Sequence, residues 1–295
     1  MSDLTRREAI GTMAAGAASV ATAGWLAACE ARPRRDGQGP TAPALFISHG
    51  APTLAGEHDG YAAELAAWGQ TLGRPRAAVV VSAHWVAGAP RTGVEETAEL
   101  FYDFGGFPDE LYRIRYPAPG WPELAARVRE LTGAEAERDR PLDHGVWVPM
   151  MKMYPHADVP VVQLALPLRT GPSGWIALGR ALAPLRRDGV AIVGSGGAVH
   201  NLRRLAWNGG GEVAPWASAF DGWIADVVGR RDLAGLGRVL EDAPGLRDAH
   251  PTVEHLAPLL VAAGAAAGDG ELPAATFPIT GWVMGSLSMR SVQWA

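Results

Sequence analysis

Four runs of small and β-branched apolar residues punctuate the chain: ALFISHG (44–50), RAAVVVSAHW (76–85), VPVVQLAL (159–166) and VAIVGSGG (190–197). None alternates cleanly between apolar and polar positions, so each reads as a strand covered on both faces, as in a parallel sheet. Between and after them lie segments of helical period: GYAAELAAWGQTL (60–72), WPELAARVRELTG (121–133), GWIALGRALAPLRRDG (174–189), PWASAFDGWIADVVGRRDL (215–233) and PTVEHLAPLLVAAGAAAG (251–268). The second has Pro near its start and Gly at its end, which mark helix boundaries. Strands alternating with helices predict a single α/β domain around a largely parallel β-sheet flanked by helices. The stretch FYDFGGFPDELYRIRYPAPG (101–120) is too irregular for one element.

The first 42 residues follow neither pattern. Residues 1–29 carry Arg6 and Arg7 and then 21 uncharged residues from Ala9 to Cys29, dominated by Ala, Gly, Ser and Thr. Paired arginines before a weakly apolar run resemble a twin-arginine export signal. An ordinary membrane-spanning helix is the competing reading, but Ala and Gly supply little transfer energy. Cys29 is the only cysteine, in LAAC before Glu30, a setting that resembles the lipobox where bacterial lipoproteins are cleaved and acylated. The expectation is an exported protein, periplasmic or membrane-anchored through a lipid on Cys29. Residues 30–42 have the Pro, Gly and charge content of a flexible tether, leaving 43–295 as the folded domain.

Composition narrows the partners. The 295 residues are 48% hydrophobic and 19% charged, with a formal net charge of −5 and no basic block longer than RPRR (32–35). This is an ordinary globular balance with no nucleic-acid surface.

The chemistry lies in the histidines. Three of the eight, His49, His84 and His200, close an apolar run or follow one through glycines. In open α/β sheets, ligands bind outside the carboxyl ends of the strands. Neutral imidazoles gathered there suit Fe(II) or Zn(II). His255, next to Glu254 in the last helical segment, would complete such a set. His144 follows Asp143 in PLDHGVWVP with no strand running into it, a turn-like setting that holds an imidazole over a substrate. Each histidine alone also reads as a core residue bonded to a carbonyl. HExxH and CxxC pairs are absent, so any metal site must be assembled from distant segments. His58 and His156 read as surface positions, and His250 as orienting the start of the last helix or lining the pocket. Trp85, Phe104, Phe107 and Trp147 read equally as walls for a planar ligand or as loop packing. GSGG resembles a phosphate-cradling turn but lacks the P-loop lysine.

Seven ordered segments, LFISHGAP, VVVSAHW, YDFGGFPDELYRIRYPAPG, LDHGVWVPMMKMYP, VPVVQLAL, GSGGAVHNLR and HPTVEHLAPLLVAAGA, resemble the DODA-type extradiol aromatic ring-opening dioxygenases, a branch of the class III extradiol group that includes DOPA dioxygenases. The resemblance runs from about Ala44 to the C-terminal GSLSMRSVQW. It implies a metal on His49, His84 and His255. It makes His200 a further ligand or an acid/base beside the metal, and His144 a substrate-facing acid/base. Fe(II) is the metal it implies for activity, with Zn(II) able to take the same site; the substrates are a catechol and O₂. Two positions depart from the family pattern: Ala51 replaces a serine and Tyr102 a histidine. The implied reaction breaks the ring beside the two hydroxyls, giving a muconic semialdehyde. Two other readings use the same histidines, a zinc-dependent hydrolase and a non-catalytic lipoprotein that binds metal or aromatics.

Overall fold

The apolar runs become strands because nothing in them can tolerate water on either side. In β1 (Ala44–Ser48), Ala44 and Phe46 face one core while Leu45 and Ile47 face another, and all five residues are buried. The computed structural model describes residues 41–58, 60–96, 98–207 and 212–295. After β1 come α1 (Gly60–Leu72), β2 (Ala77–Ala87), β3 (Arg91–Gly93), α2 (Pro122–Thr132), β4 (Glu135–Glu137), α3 (His144–Met153), β5 (Val161–Pro167), α4 (Gly171–Arg187) and β6 (Val190–Gly196). The C-terminal part holds α5 (Pro215–Gly229), the short α6 (Leu233–Gly237), α7 (Val239–Asp242) and α8 (Leu246–Ala249), then α9 (Ala257–Ala267), β7 (Ala275–Thr276), β8 (Trp282–Val283), β9 (Leu287–Ser288) and β10 (Val292–Trp294).

Eight strands form one sheet in the order β4-β3-β5-β2-β6-β1-β10-β7, with β8 and β9 as a separate pair. The four apolar runs are its centre, β5-β2-β6-β1, all parallel. The expected α/β domain is therefore what the chain forms. The edges depart from it: β10 runs antiparallel to β1 and β3 antiparallel to β5. These edge strands are two or three residues long and carry no periodicity that a sequence could display.

One face of the sheet is covered by α4, α9 and α5, the other by α1 and α3. Helix α9 is apolar all round and buried along nearly its whole length, as such a helix must be. It lies close to α4 because Gly179 faces the backbone of Val261 and Gly264 that of Ile176, where a β-carbon has no room.

Three local expectations change. The strand bearing His84 does not stop there: β2 pairs with β6 only as far as Ser82, then continues to Ala87 beside β5. From Val81 to Val86 it takes five steps while β5 takes two, from Leu164 to Leu166, so His84 sits in an irregularity rather than at a terminus. The last helix begins at Ala257, not near 251. Pro258 fits a first helical turn, where its missing N–H costs nothing, and residues 251–256 make bends and turns before it. His144 opens α3, with Asp143 just outside it, instead of lying in a free turn. The export segment, Cys29 and most of the tether lie outside the described residues. Among those described, no helix is long and apolar enough to cross a membrane.

Candidate metal centre

Three separate segments deliver an imidazole to the carboxyl ends of the central strands. His49 follows β1, His84 occupies the irregular part of β2, and His255 lies in the turn before α9. The ring centres are 4.9 Å (His49–His84), 5.3 Å (His49–His255) and 5.0 Å (His84–His255) apart, and one ring nitrogen from each lies within 4.8 Å of the others. His49 and His255 are buried and His84 is partly so.

Hydrogen bonds fix which nitrogen is free in two of the three rings. The Ser195 hydroxyl donates to the Gly145 carbonyl, so it accepts from His49 Nδ1 at 2.9 Å. His255 Nδ1 donates to Glu254 Oε1 at 3.2 Å, and His84 Nδ1 lies 3.4 Å from Asp103 Oδ2. With Nδ1 committed to these partners, the Nε2 atoms of His49 and His255 are left free. Burial, reinforced by mutual repulsion, holds His49 far below the usual imidazole range and pushes His84 down to about 2, so both rings are neutral. Burial raises the Glu254 carboxyl, but hydrogen bonds, that from His255 first, outweigh it and bring the group down to about 2.

A divalent cation fits this donor set. His255 Nε2 is buried with no hydrogen-bond partner among the described residues, a cost that native structures seldom leave standing. His49 Nε2 and His84 Nε2 are 3.1 Å apart, a separation that calls for either one proton or a cation between them. Two nitrogens bound to one ion at about 2.1 Å would stand at this separation, a little over a right angle apart. Three neutral imidazoles suit first-row ions such as Fe(II) and Zn(II).

The other two predicted residues flank this set differently. The His144 ring centre is 4.0 Å from that of His84 and 5.5 Å from that of His49. Its backbone N–H and its Nδ1 both donate to Asp103 Oδ1, each at 2.9 Å, leaving Nε2 as the basic nitrogen. His200 lies flat against His255, the ring centres 3.6 Å apart and the planes within 4°. It stacks beside the three convergent rings rather than joining them, and burial above all brings it down to about 3.

Two glycines make room for the cluster. A β-carbon at Gly145, the second residue of α3, would lie 2.5 Å from Ser82 Oγ, 3.0 Å from His84 Cδ2 and 3.1 Å from His49 Nδ1. One at Gly196 would run into the His255 carbonyl, which accepts from the Gly197 N–H at 3.0 Å. The glycines of GSGG thus admit the His255 segment against β6, which accounts for them without a phosphate.

Beneath the site, Asp143 is fully buried and accepts hydrogen bonds from Ser82 Oγ at 2.7 Å and from Gln163 Nε2. Ser82 Oγ in turn accepts the backbone N–H of His84 at 3.1 Å, which pins the irregular segment of β2. Arg140 lies 3.4 Å from Asp143 and spreads its guanidinium over the Trp85 ring at 4.6 Å. Trp85 and Trp147 are buried, whereas Phe104 and Phe107 are half-buried, with Phe104 5.9 Å from His144 in an edge-on arrangement. Tyr102 turns its hydroxyl away to the Ile114 carbonyl and the Arg115 guanidinium. Ala51, His58 and His156 are exposed. His250 is buried against Phe220, its Nε2 3.0 Å from the Ala198 carbonyl oxygen. Asp103 is the residue that sequence reading passed over. It lies in an irregular stretch, and its partners are distant in the chain, so no spacing marks it.

Residues 43–284 match the family model described as the catalytic LigB subunit of aromatic ring-opening dioxygenase. The chain belongs to this family. It is 42% identical over 263 residues to the 4,5-DOPA dioxygenase extradiol of Escherichia coli (strain K12), an alignment covering 85% of this chain and 94% of that protein. With the protein of the same name from Beta vulgaris it shares 39% identity over 256 residues, 84% of this chain and 94% of the relative. The crystal structure of an uncharacterized protein from Escherichia coli K12 superposes with a TM-score of 0.70 at 35% identity, covering 86% of this chain and all of the other. The LigB-family fold and the resemblance drawn from the seven sequence segments therefore agree.

Proposed function

We propose that this LigB-family chain is a metal-dependent extradiol dioxygenase that opens the ring of a DOPA-like catechol with O₂. The observation that carries the reading is the convergence of His49, His84 and His255 from three separate segments, one ring nitrogen of each lying within 4.8 Å of the others. His49, His84 and His255 would hold the ion. Fe(II) is the ion for turnover and Zn(II) an occupant of the same donors. Bound iron supplies the redox-active centre that lets triplet O₂ react with a singlet catechol. The names carried by the relatives point to the same substrate class.

The chain's own residues then handle the protons. His144, locked by Asp103 with Nε2 free, takes a phenolic proton as the catechol binds and returns one as the ring opens. His200, stacked on His255, stands beside the three rings as a second proton carrier or a further ligand. The half-buried Phe104 and Phe107 offer edges to a planar ring. Both atoms of O₂ enter the product as the bond beside the two hydroxyls breaks, so catechol plus O₂ balances to a hydroxymuconic semialdehyde.

The test is anaerobic loading with Fe(II), followed by oxygen uptake and yellow product formation over a panel of catechols. Equimolar uptake with a DOPA-type catechol, lost on Zn(II) loading, is the expected result. No uptake from any catechol by the fully iron-loaded protein would overturn the reading. We further propose that the chain is exported folded and acylated at Cys29. Replacing Arg6 and Arg7 by Lys should hold the precursor in the cytoplasm, and Cys29→Ser should abolish lipid labelling.

A further inference from the structure

Asp103 divides its carboxylate between two histidines of different duty. Oδ1 accepts both the backbone N–H and the Nδ1–H of His144, each at 2.9 Å, and Oδ2 faces His84 Nδ1 at 3.4 Å. The side chain is about one-tenth exposed, at 11%.

An imidazole at position 84 has two ways to place its single proton. With the proton on Nδ1 it points to Asp103 and leaves Nε2 open. With the proton on Nε2 it would donate to His49 Nε2, 3.1 Å away, a distance well suited to a hydrogen bond. That second form closes the pair of nitrogens against any cation. A carboxylate oxygen beside Nδ1 favours the first form: a shift of a few tenths of an ångström brings the 3.4 Å contact into hydrogen-bond range, and charge-assisted hydrogen bonds are about twice as strong as neutral ones. We infer that Asp103 is a positioning residue that selects the Nδ1–H tautomer of His84 and His144 at once. One carboxylate thereby holds the ion-facing nitrogen of a ligand and the basic nitrogen of His144 free of protons. The ligand half of this inference rests on the reading of His49, His84 and His255 as a metal centre.

Asp103→Asn separates this role from simple packing. The amide oxygen must face the His144 backbone N–H, which can only donate, so the amide nitrogen falls to His84. His84 Nδ1 must then accept, and its proton moves to Nε2. Long-range proton–nitrogen correlation spectra of isotope-labelled, metal-free protein, taken at mildly alkaline pH, report each ring's tautomer. In the wild type, both His84 and His144 are expected as Nδ1–H; in Asp103→Asn, His84 switches to Nε2–H while His144 stays. Zn(II) affinity, measured by chelator competition, should fall ~10–100-fold in Asp103→Asn, as for other groups that orient ligands. An Nε2–H tautomer of His84 in the wild type overturns the inference even if the variant fails to fold. Unchanged Zn(II) affinity in Asp103→Asn beside a tight-binding wild type overturns it as well. Two equivalents of Zn(II) per chain would place a second ion on His84, Asp103 and His144 and replace positioning with ligation. A wild type that binds no Zn(II) strikes at the metal centre itself, and the tautomer spectra then judge Asp103 alone.

Discussion

The two faces of the sheet are built on different principles. Against one face, α4, α9 and α5 pack mainly Ala, Val and Leu, with a few buried polar groups that each have a partner: Arg186 on the Ala42 carbonyl, Asp221 with Arg290, and His250 on the Ala198 carbonyl. Against the other, α1, α3 and the irregular segment 101–120 bring aromatic rings, a buried Asp143 and the Lys152 ammonium bonded to loop carbonyls. Each face nonetheless sends one histidine to the same place: His255 arrives at the head of α9 and His144 at the head of α3. His49 and His84 come from the strands between them. On the proposed reading, the apolar face supplies a metal-facing group at the head of α9, and the polar face supplies a proton carrier locked by hydrogen bonds to Asp103. If that division holds, stability and chemistry should fail separately when each face is damaged.

The largest effects should come at the meeting point. Replacing His49, His84 or His255 by Ala should lower metal affinity more than ~100-fold, beyond the loss typical of groups that merely orient a ligand. Elemental analysis of the folded variants reads this, and stoichiometric metal in His84→Ala would remove that ring from the centre. Next, His144→Ala should keep its metal and bind catechol yet lose ring opening ~10²–10⁴-fold, the usual worth of a general acid or base. Turnover near wild type in an iron-loaded sample would end its catalytic role.

Crossed glycine variants sharpen the contrast between the faces. A methyl at Gly179 must push α4 off α9, an overpacking cost of about 1–3 kcal/mol and a fall in Tm of several degrees. The variant should still bind one metal ion when folded. Gly145→Ala should do the reverse, disturbing Ser82, His84 and His49 and weakening metal binding ~10–100-fold with a smaller loss of Tm. Equal losses of Tm and metal in both would show that the faces are not independent.

A pH effect follows from His250, buried on the apolar side. Burial, the dominant influence, lowers it from 6.5 to about 4 in the folded chain. Between those values the unfolded chain binds a proton that the folded chain refuses, so stability falls as pH drops through this window. Urea midpoints of metal-free protein should decline from pH 6.5 towards 4, and His250→Gln should lessen the slope by about one proton's share, leaving that of His49, His84 and His200. The smallest effect is expected from Tyr102→His. Its hydroxyl points away to Ile114 and Arg115, so metal content and Tm should stay put and preference among catechols shift by less than tenfold, as specificity assays would read.

Much of this was legible in the residues, for identifiable reasons. The four central strands announce themselves because strands covered on both faces leave uninterrupted apolar runs. His49 and His84 stand out because those runs lead straight to them. The edge strands β3, β4, β7 and β10 were not legible, since two or three residues show no period. Asp103 was hidden for a different reason: its meaning lies in two rings brought to it by the fold, 41 residues on in the case of His144. The start of α9 was misplaced because apolar periodicity runs through the turns before Ala257, and only the position of Pro258 marks where the helix begins.

The pairing of β10 with β1 has a consequence for biosynthesis. Val292–Trp294 joins the sheet beside Ala44–Phe46, with Trp294 wholly buried, and Ser48 N–H donates to Ser291 Oγ at 3.3 Å. Among the described strands, the first to be synthesised is therefore completed by the last. Until then one side of β1 offers unpaired N–H and C=O groups to any neighbouring chain, an aggregation hazard during synthesis.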